Sequence, residues 1–311
     1  MPLVSRRKVL AAKVEATSGT LETLTASEAA FNVFDFDLQP TITMTERPSQ
    51  GTFTSLPATP ETYGATATFK THIYGDGAGG VPAWASVFLP ACGFVNSAGT
   101  FLPKSEAPGS NVKTISLGMF IDGMYKKLRG CAGTFKLLFE SGKAAAIEWS
   151  FSGVWQPVTS SALITPTYPT ALPLRAAGAV FTWGAWSPCW NTLSIDVGNE
   201  VYLRPCQTAS DASGLAGAII VNRKVTGTFD PESVLLATYD YYDKWVDQAQ
   251  EALSLVLANA TDEVTISCPK AQITNVQQAD RSGVVIENIT FQANKNAAAG
   301  DDELSIAFAA P

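Results

Sequence analysis

Charged side chains are scarce in this 311-residue chain: they make up 16% of it, against about 25% in ordinary globular domains. Hydrophobic residues reach 46%, so little of the surface can carry charge, and a large subunit interface accounts for that deficit. Histidine is scarcer still. The single one, His72, confines the usual general base to one position, and no nucleophile elbow lies near it, so hydrolytic triads are excluded. No run of about 18 apolar residues occurs, which leaves no candidate membrane-spanning helix. The five cysteines, Cys92, Cys131, Cys189, Cys206 and Cys268, include no CxxC pair. They read as reduced, mostly buried thiols of a cytoplasmic protein, with no zinc or redox spacing. The sequons at Asn259 and Asn288 would carry no glycan there. Basic clusters are missing too. A net charge of -7 and a pI near 4.8 exclude a protein that grips nucleic acid by neutralising phosphates. Arg6-Arg7 superficially suits a twin-arginine signal, but Lys13 and Glu15 interrupt the apolar stretch, and no targeting segment is expected.

What the chain does have is a repeated order of blocks. Phe36-Asp37-Leu38 followed by Arg47-Pro48 is echoed by Ile195-Asp196-Val197 followed by Arg204-Pro205. Thr66-Ala67-Thr68-Phe69-Lys70 returns as Thr226-Gly227-Thr228-Phe229-Asp230, and Ile115-Ser116-Leu117 as Leu253-Ser254-Leu255. Ser141-Gly142 through Phe151 returns as Ser282-Gly283 through Phe291. Four blocks in one order imply an internal duplication. The expected fold class is therefore mainly β, with one flanking helix per unit, in two tandem β-sandwich domains.

The expected divisions are an N-terminal arm over 1–30, a first domain over 31–155, a Pro-rich linker over 156–178 and a second domain over 179–311. Residues 46–64, with three prolines and no hydrophobic period, read as a long loop between strands. Phe53 and Leu56 stand isolated in it. Pro40 marks a bend or bulge. Gly75–Gly80 reads as a turn, and Pro82 opens a short helix, followed by an irregular loop to Asn111. Strands are expected over 114–121, 125–129, 133–140 and 144–151, with Asp122-Gly123 as a hairpin signal. In the second half 219–229 reads as one strand. A helix over about 238–250 would bury Tyr242, Trp245, Val246 and Ala249 on one stripe, and 263–267 and 271–278 read as separate strands.

The carboxylate groups Asp35 with Asp37, Asp243 with Asp247, and Asp301-Asp302-Glu303 all sit where solvated faces or turns explain them. No catalytic residue, cofactor site or metal site is assigned. Gly75–Gly80 lacks the Lys-Ser/Thr of a phosphate loop. Trp183, Trp186 and Trp190 cluster at a domain start and are candidate subunit-interface aromatics.

With these residues in view, the chain resembles the major tail tube proteins of long, non-contractile-tailed, siphovirus-like bacteriophages. RRKVLAAKVEATSGT, FDFDLQPTITMTERP and IDGMYKKLRGCAGTFKLLFESGKAAAIEWSFSGVWQP carry the resemblance in the first half. GNEVYLRP, KVTGTFDPESVLLATYD and DDELSIAFA carry it in the second. The resemblance implies rings whose inner sheets join into a barrel, stacked into a tube through which double-stranded DNA passes without specific binding. Two domains per chain imply trimers with pseudo-sixfold symmetry. Implied partners are further copies of the chain and the tape measure, tail terminator and distal tail or baseplate proteins, with no membrane. The implied location is the virion tail, assembled in the bacterial cytoplasm. Glu46, Arg47, Phe53 and Leu56 would mediate contact between rings. Two other readings stay open: a different ring-forming virion component (tail terminator, baseplate-proximal ring or capsid decoration protein), and a tandem carbohydrate-binding module.

Overall fold

The computed structural model describes residues 6–209, 211 and 213–311. The chain is mainly β, with 55% of residues in strands and 6% helical, and every ladder among the described residues is antiparallel.

The first half carries β1 (Lys8–Val14), β2 (Val33–Pro48), β3 (Ser55–His72), α1 (Ala83–Ala91), β4 (Phe94–Ser97), β5 (Thr100–Pro103), β6 (Ile115–Ile121), β7 (Met124–Glu140) and β8 (Ala146–Ser160). The second carries β9 (Val180–Trp183), β10 (Trp190–Asp196), β11 (Asn199–Pro205), β12 (Leu215–Arg223), β13 (Thr226–Pro231), α2 (Tyr241–Val246), β14 (Gln250–Ala258), β15 (Glu263–Arg281), β16 (Val284–Ala293) and β17 (Ser305–Ala309). Neighbouring strands run β2-β3-β8-β7-β6-β1 in the first half and β10-β13-β16-β15-β14-β9 in the second. The two paths follow the chain in the same order. They join where β10 pairs with the end of β7, from Thr192↔Glu140 to Asp196↔Lys136.

β17 lies beside the start of β15, and β5 and β4 continue the sheet from it. β17 occupies the place on β15 that the far end of β8 occupies on β7: Ile266 faces Ile306 where Leu128 faces Trp155. One strand in the first half is thus two in the second. β11 and β12 form a separate hairpin.

Alternation explains the core. Phe135, Leu137 and Phe139 on β7, and Ile147, Trp149 and Phe151 on β8, all point inward and are buried. They meet Phe69, Trp84 and Phe88 in one contiguous cluster that also takes in Phe181, Trp183, Phe229 and Phe291 of the second half. The Trp149 indole N–H donates to Thr71 Oγ1 at 2.9 Å, which satisfies the one polar atom this packing buries on that ring.

Several expectations change. Residues 46–64 are not a loop: β2 and β3 form a ribbon whose ladder reaches Pro48↔Ser55, leaving only 49–54 as the connection. The β-branched threonines of this stretch favour extended backbone. Pro57 and Pro60 are tolerated because β8 joins β3 only from Gly64 onward, so outer β3 has a partner on one side alone. Pro40 sits in register opposite Ala65 on the edge strand, and the irregularities fall elsewhere, at Phe34/Asp37, Ile42/Met44 and Thr45/Arg47.

The N-terminal arm is tied down: β1 pairs with β6 and buries Leu10, Ala11 and Ala12. The segments 125–129 and 133–140 merge into β7 with a bulge between Arg129 and Ala132, where Gly130 adopts φ +59. Likewise 263–267 and 271–278 merge into β15, whereas 219–229 splits into β12 and β13. The loop before Asn111 contains the β4–β5 hairpin.

Helix α2 is shorter than its sequence period suggested, started by the Asp240 cap on the Asp243 N–H and followed by Gln248 at φ 56. It buries Tyr241 and leaves Val246 76% exposed. β8 runs on to Ser160 into the expected linker, and Leu174 of that linker bonds both Ile73 and Ala145. Finally, Leu38 opposes Ala67 where Ile195 opposes Gly227. Leu38 therefore matches Ile195, two residues away from the sequence echo, and both strands carry a bulge at the same place, Phe34/Asp37 on β2 and Trp190/Leu193 on β10.

Candidate assembly surface

The β2–β3 ribbon projects a row of apolar side chains into solvent. Ile42, Met44, Phe53 and Leu56 are all exposed, Phe53 at 112% of its reference area. Ile42 and Met44 line a shallow depression of about 380 Å³ with Pro60, Tyr63, Trp155 and Pro157. Of the expected contact residues, Arg47 lies on the ladder opposite Leu56 and Glu46 in the bulge between Thr45 and Arg47, all three exposed, while Phe53 sits on the tip. The ribbon holds its shape through polar contacts, including Thr43 Oγ1 to Thr62 Oγ1 at 2.7 Å and Thr45 to Glu61. Exposed apolar side chains grouped on one element are a candidate interaction surface.

The hairpin β11–β12 sits in the matching place in the second half, but it is already docked. It lies across β7 and β8 of the first half, and its turn closes on Arg129, which is 4% exposed. Arg129 donates Nε to Asp211 Oδ2 at 2.9 Å, Nη1 to the Gly19 carbonyl at 2.9 Å and Nη2 to the Leu215 carbonyl at 3.1 Å. Burial pushes the Asp211 carboxyl up, but hydrogen bonds from Ser213, Gln156 and Arg129 outweigh it and hold the group at about 2. At the hairpin's other end, Asn199 Nδ2 donates to the carbonyls of Cys92 and Gly133 at 2.8 and 2.9 Å. Gly130 and Gly217 allow the two backbones to approach, since a Cβ on Gly130 would meet the Gly217 Cα at 2.9 Å.

The remaining sequence candidates are dispersed. Trp183 and Trp186 are buried: Trp183 stacks on Phe229 at 5.2 Å and Trp186 on Tyr239 at 4.3 Å, with Trp190 half-buried beside Phe181. In this chain they pack the second half, and the two buried rings offer no platform to a sugar. His72 rests against Phe34, with ring centroids 4.7 Å apart. Asp76 closes the glycine-rich turn by accepting the Ala78 and Gly80 N–H groups. Asp35 faces Lys70, Asp37 binds Gln39, and Asp301 and Glu303 hold Arg223. Among the described residues no group of three or more metal-ligating side chains converges, and no helix is long and apolar enough to cross a membrane.

Sequence reasoning missed Arg129, Asp211 and Asn199. The available signal was a charged residue followed by glycine inside a strand pattern, Arg129-Gly130, which marks a bulge that re-aims a side chain. It also missed Glu287, fully buried on β16, which accepts from Tyr241 at 3.1 Å and Ser233 at 3.2 Å.

No family model and no curated protein sequence matches this chain.

Proposed function

We propose that this chain is a structural subunit of a tail tube: two copies of one β-sandwich unit, arisen by internal duplication, that assemble as trimers with pseudo-sixfold symmetry and stack into a conduit for a viral genome. The observation that carries the reading is the recurrence of one six-strand order in each half, with the halves joined edge to edge through β7 and β10. A chain whose two units already add side by side through a heterologous contact, and whose outer β2 edge carries no partner strand among the described residues, has the geometry that closes into rings when repeated. Closure consumes exposed sheet edges that would otherwise pair without control. The low charge fraction and the exposed apolar ribbon accord with extensive burial on assembly, and a net charge of -7 suits a bore along which phosphates must slide rather than bind. The resemblance of its sequence blocks to tail tube proteins supplies the tape measure, terminator and baseplate proteins as partners and the virion tail as its place.

Electron microscopy of the purified, tag-free chain over a range of concentrations, beside intact virus particles, tests this. Threefold rings or tubes with six pseudo-equivalent lobes are expected. Monomers at every concentration, together with absence from the tails of particles, would overturn it. A ring-forming virion component of another kind shares the edge-to-edge geometry, and copy number per particle separates the two, since a tube subunit is among the most abundant.

A further inference from the structure

The two strand paths finish differently at matching places. On β7, one edge pairs first with β6 and then, over Lys136–Glu140, with β10. On β15 the corresponding edge pairs with β14 over Glu263–Gln272. Beyond it, Gln277–Arg281 has β16 on one side and no strand among the described residues on the other. The ladders fix the correspondence. Phe69 faces Trp149, which faces Phe135, just as Phe229 faces Ile289, which faces Val276. Lys136–Glu140 therefore matches Gln277–Arg281. By the same ladders Phe36–Gln39 on β2 matches Leu193–Asp196 on β10. The donor strand and the acceptor edge of the internal junction thus have bare counterparts at opposite ends of the molecule.

Apolar exposure marks the acceptor end. Ser233 donates its N–H to the Val285 carbonyl at 2.9 Å, as Ile73 does to Ala145 at 2.9 Å. Yet Ala145 is 0% exposed, because Leu174 bonds it and Ile73 at 2.8 Å each, whereas Val285 is 46% exposed. Val284, Leu235 and Leu236 are exposed beside it.

We propose that a second copy of this chain covers that end. Its β2 adds to β15 in the register of the internal junction, Gln39 opposite Gln277, Leu38 opposite Gln278, Asp37 opposite Ala279 and Phe36 opposite Asp280. Its β2–β3 ribbon then lies across the neighbour's β15 and β16, as β11–β12 lies across β7 and β8 within the chain. The charges agree: the Lys8 ammonium sits 5.9 Å from the Phe36 ring and bonds the Phe36 carbonyl, which brings a cation to Asp280 of the acceptor. The ribbon is then a lateral clasp within a ring rather than a contact between rings. This rests on the self-assembly reading above.

The test uses the full chain with the two accessible thiols removed by Cys189→Ser and Cys206→Ser. Gln39→Cys and Gln277→Cys are made separately in that background. Both glutamines are exposed, so both variants fold. The two proteins are mixed under assembling conditions and treated with a short bismaleimide. Covalent dimers in the mixture, and none from either variant alone, are the expected result. Assemblies visible by microscopy without that mixed crosslink, or crosslinking of one variant with itself, would overturn the register while leaving self-assembly intact. Absence of both assemblies and crosslinks would overturn the β2–β15 junction, and with it the self-assembly reading where the chain is also absent from the tails of particles.

Discussion

Arg129 and Asp211 meet through two contacts on one carboxylate oxygen, Nε at 2.9 Å and Nη2 at 2.8 Å, across 82 residues of sequence. The pair fastens the β11–β12 hairpin of the second half to the bulge on β7 of the first. Because the Arg129 side chain is 5% exposed, its charge is compensated almost wholly by this carboxylate and the surrounding carbonyls. Arg129→Met should therefore cost about 1–3 kcal/mol, the usual penalty for buried carbonyls left without their donor, while Asp211, 29% exposed, can be rehydrated. Urea unfolding of the variant checks it, and a loss under about 1 kcal/mol would show the clasp to be energetically slack.

The same carboxylate sets an acid limit. Asp211 has its pKa lowered from 3.8 to about 2 in the folded chain. A depressed acid contributes its full stabilisation above the unfolded value and loses it as pH falls through the folded one. About 2 kcal/mol should therefore disappear between pH 4 and pH 2. Asp211→Asn should flatten that part of the stability profile relative to the parent chain, and unchanged curvature would contradict the assignment.

Two glycines, Gly133 on β7 and Gly227 on β13, lie against Phe151 and Phe291, the matching phenylalanines of the two halves. A Cβ on Gly133 would lie 2.4 Å from the Phe151 ring, and one on Gly227 would lie 2.3 Å from the Phe291 ring, each also close to a backbone oxygen. Gly133→Ala and Gly227→Ala should each destabilise by about 1–3 kcal/mol through overpacking. Thermal melts read this directly, and an unchanged melting temperature in either variant would show that the neighbouring ring gives way.

Solubility and self-association should separate on the ribbon. Replacing Ile42, Met44, Phe53 and Leu56 with serine removes apolar surface from side chains that are all substantially exposed, so the melting temperature should fall only slightly while association measured by light scattering falls strongly. The ladder shows why serine replacements are preferable to deleting 52–60, which would cut β3 from Ser55 onward.

Thiol titration of the native chain should find two reactive groups of five. Cys189 is exposed and Cys206 partly so, while Cys92, Cys131 and Cys268 are buried. Burial pushes the Cys268 thiol up to about 12, which suppresses the reactive thiolate. All five should react in denaturant.

The sheet was legible in the sequence wherever one face is buried. Phe135, Leu137 and Phe139 alternate because each even neighbour turns outward, and Asp122-Gly123 falls at the β6–β7 turn as its chemistry demands, with φ 34 and 109. The ribbon was illegible for the same reason in reverse. Outer β2 and β3 bury neither face, so Thr43 to Pro60 carries no hydrophobic period, and its prolines mimic a loop. α2 misled because its apolar residues are not its buried ones: Val246 faces solvent while the Tyr241 hydroxyl reaches Glu287. The docking of β11–β12 depends on Arg129 and Asp211 meeting across the fold, a pairing no local window contains.

Between Ala293 and Ser305 the edge of β15 is handed from β16 to β17, and the intervening excursion is pinned where Asp302 accepts the N–H groups of Asn296 and Ala297 at 2.9 and 2.6 Å. The ladder is thereby decoupled from the length of chain that spans the gap. A foreign peptide spliced between Ala298 and Gly300 would enter an exposed turn with both flanking strands already anchored. The fold therefore contains a ready graft point at which epitopes could be carried without rewriting the sheet.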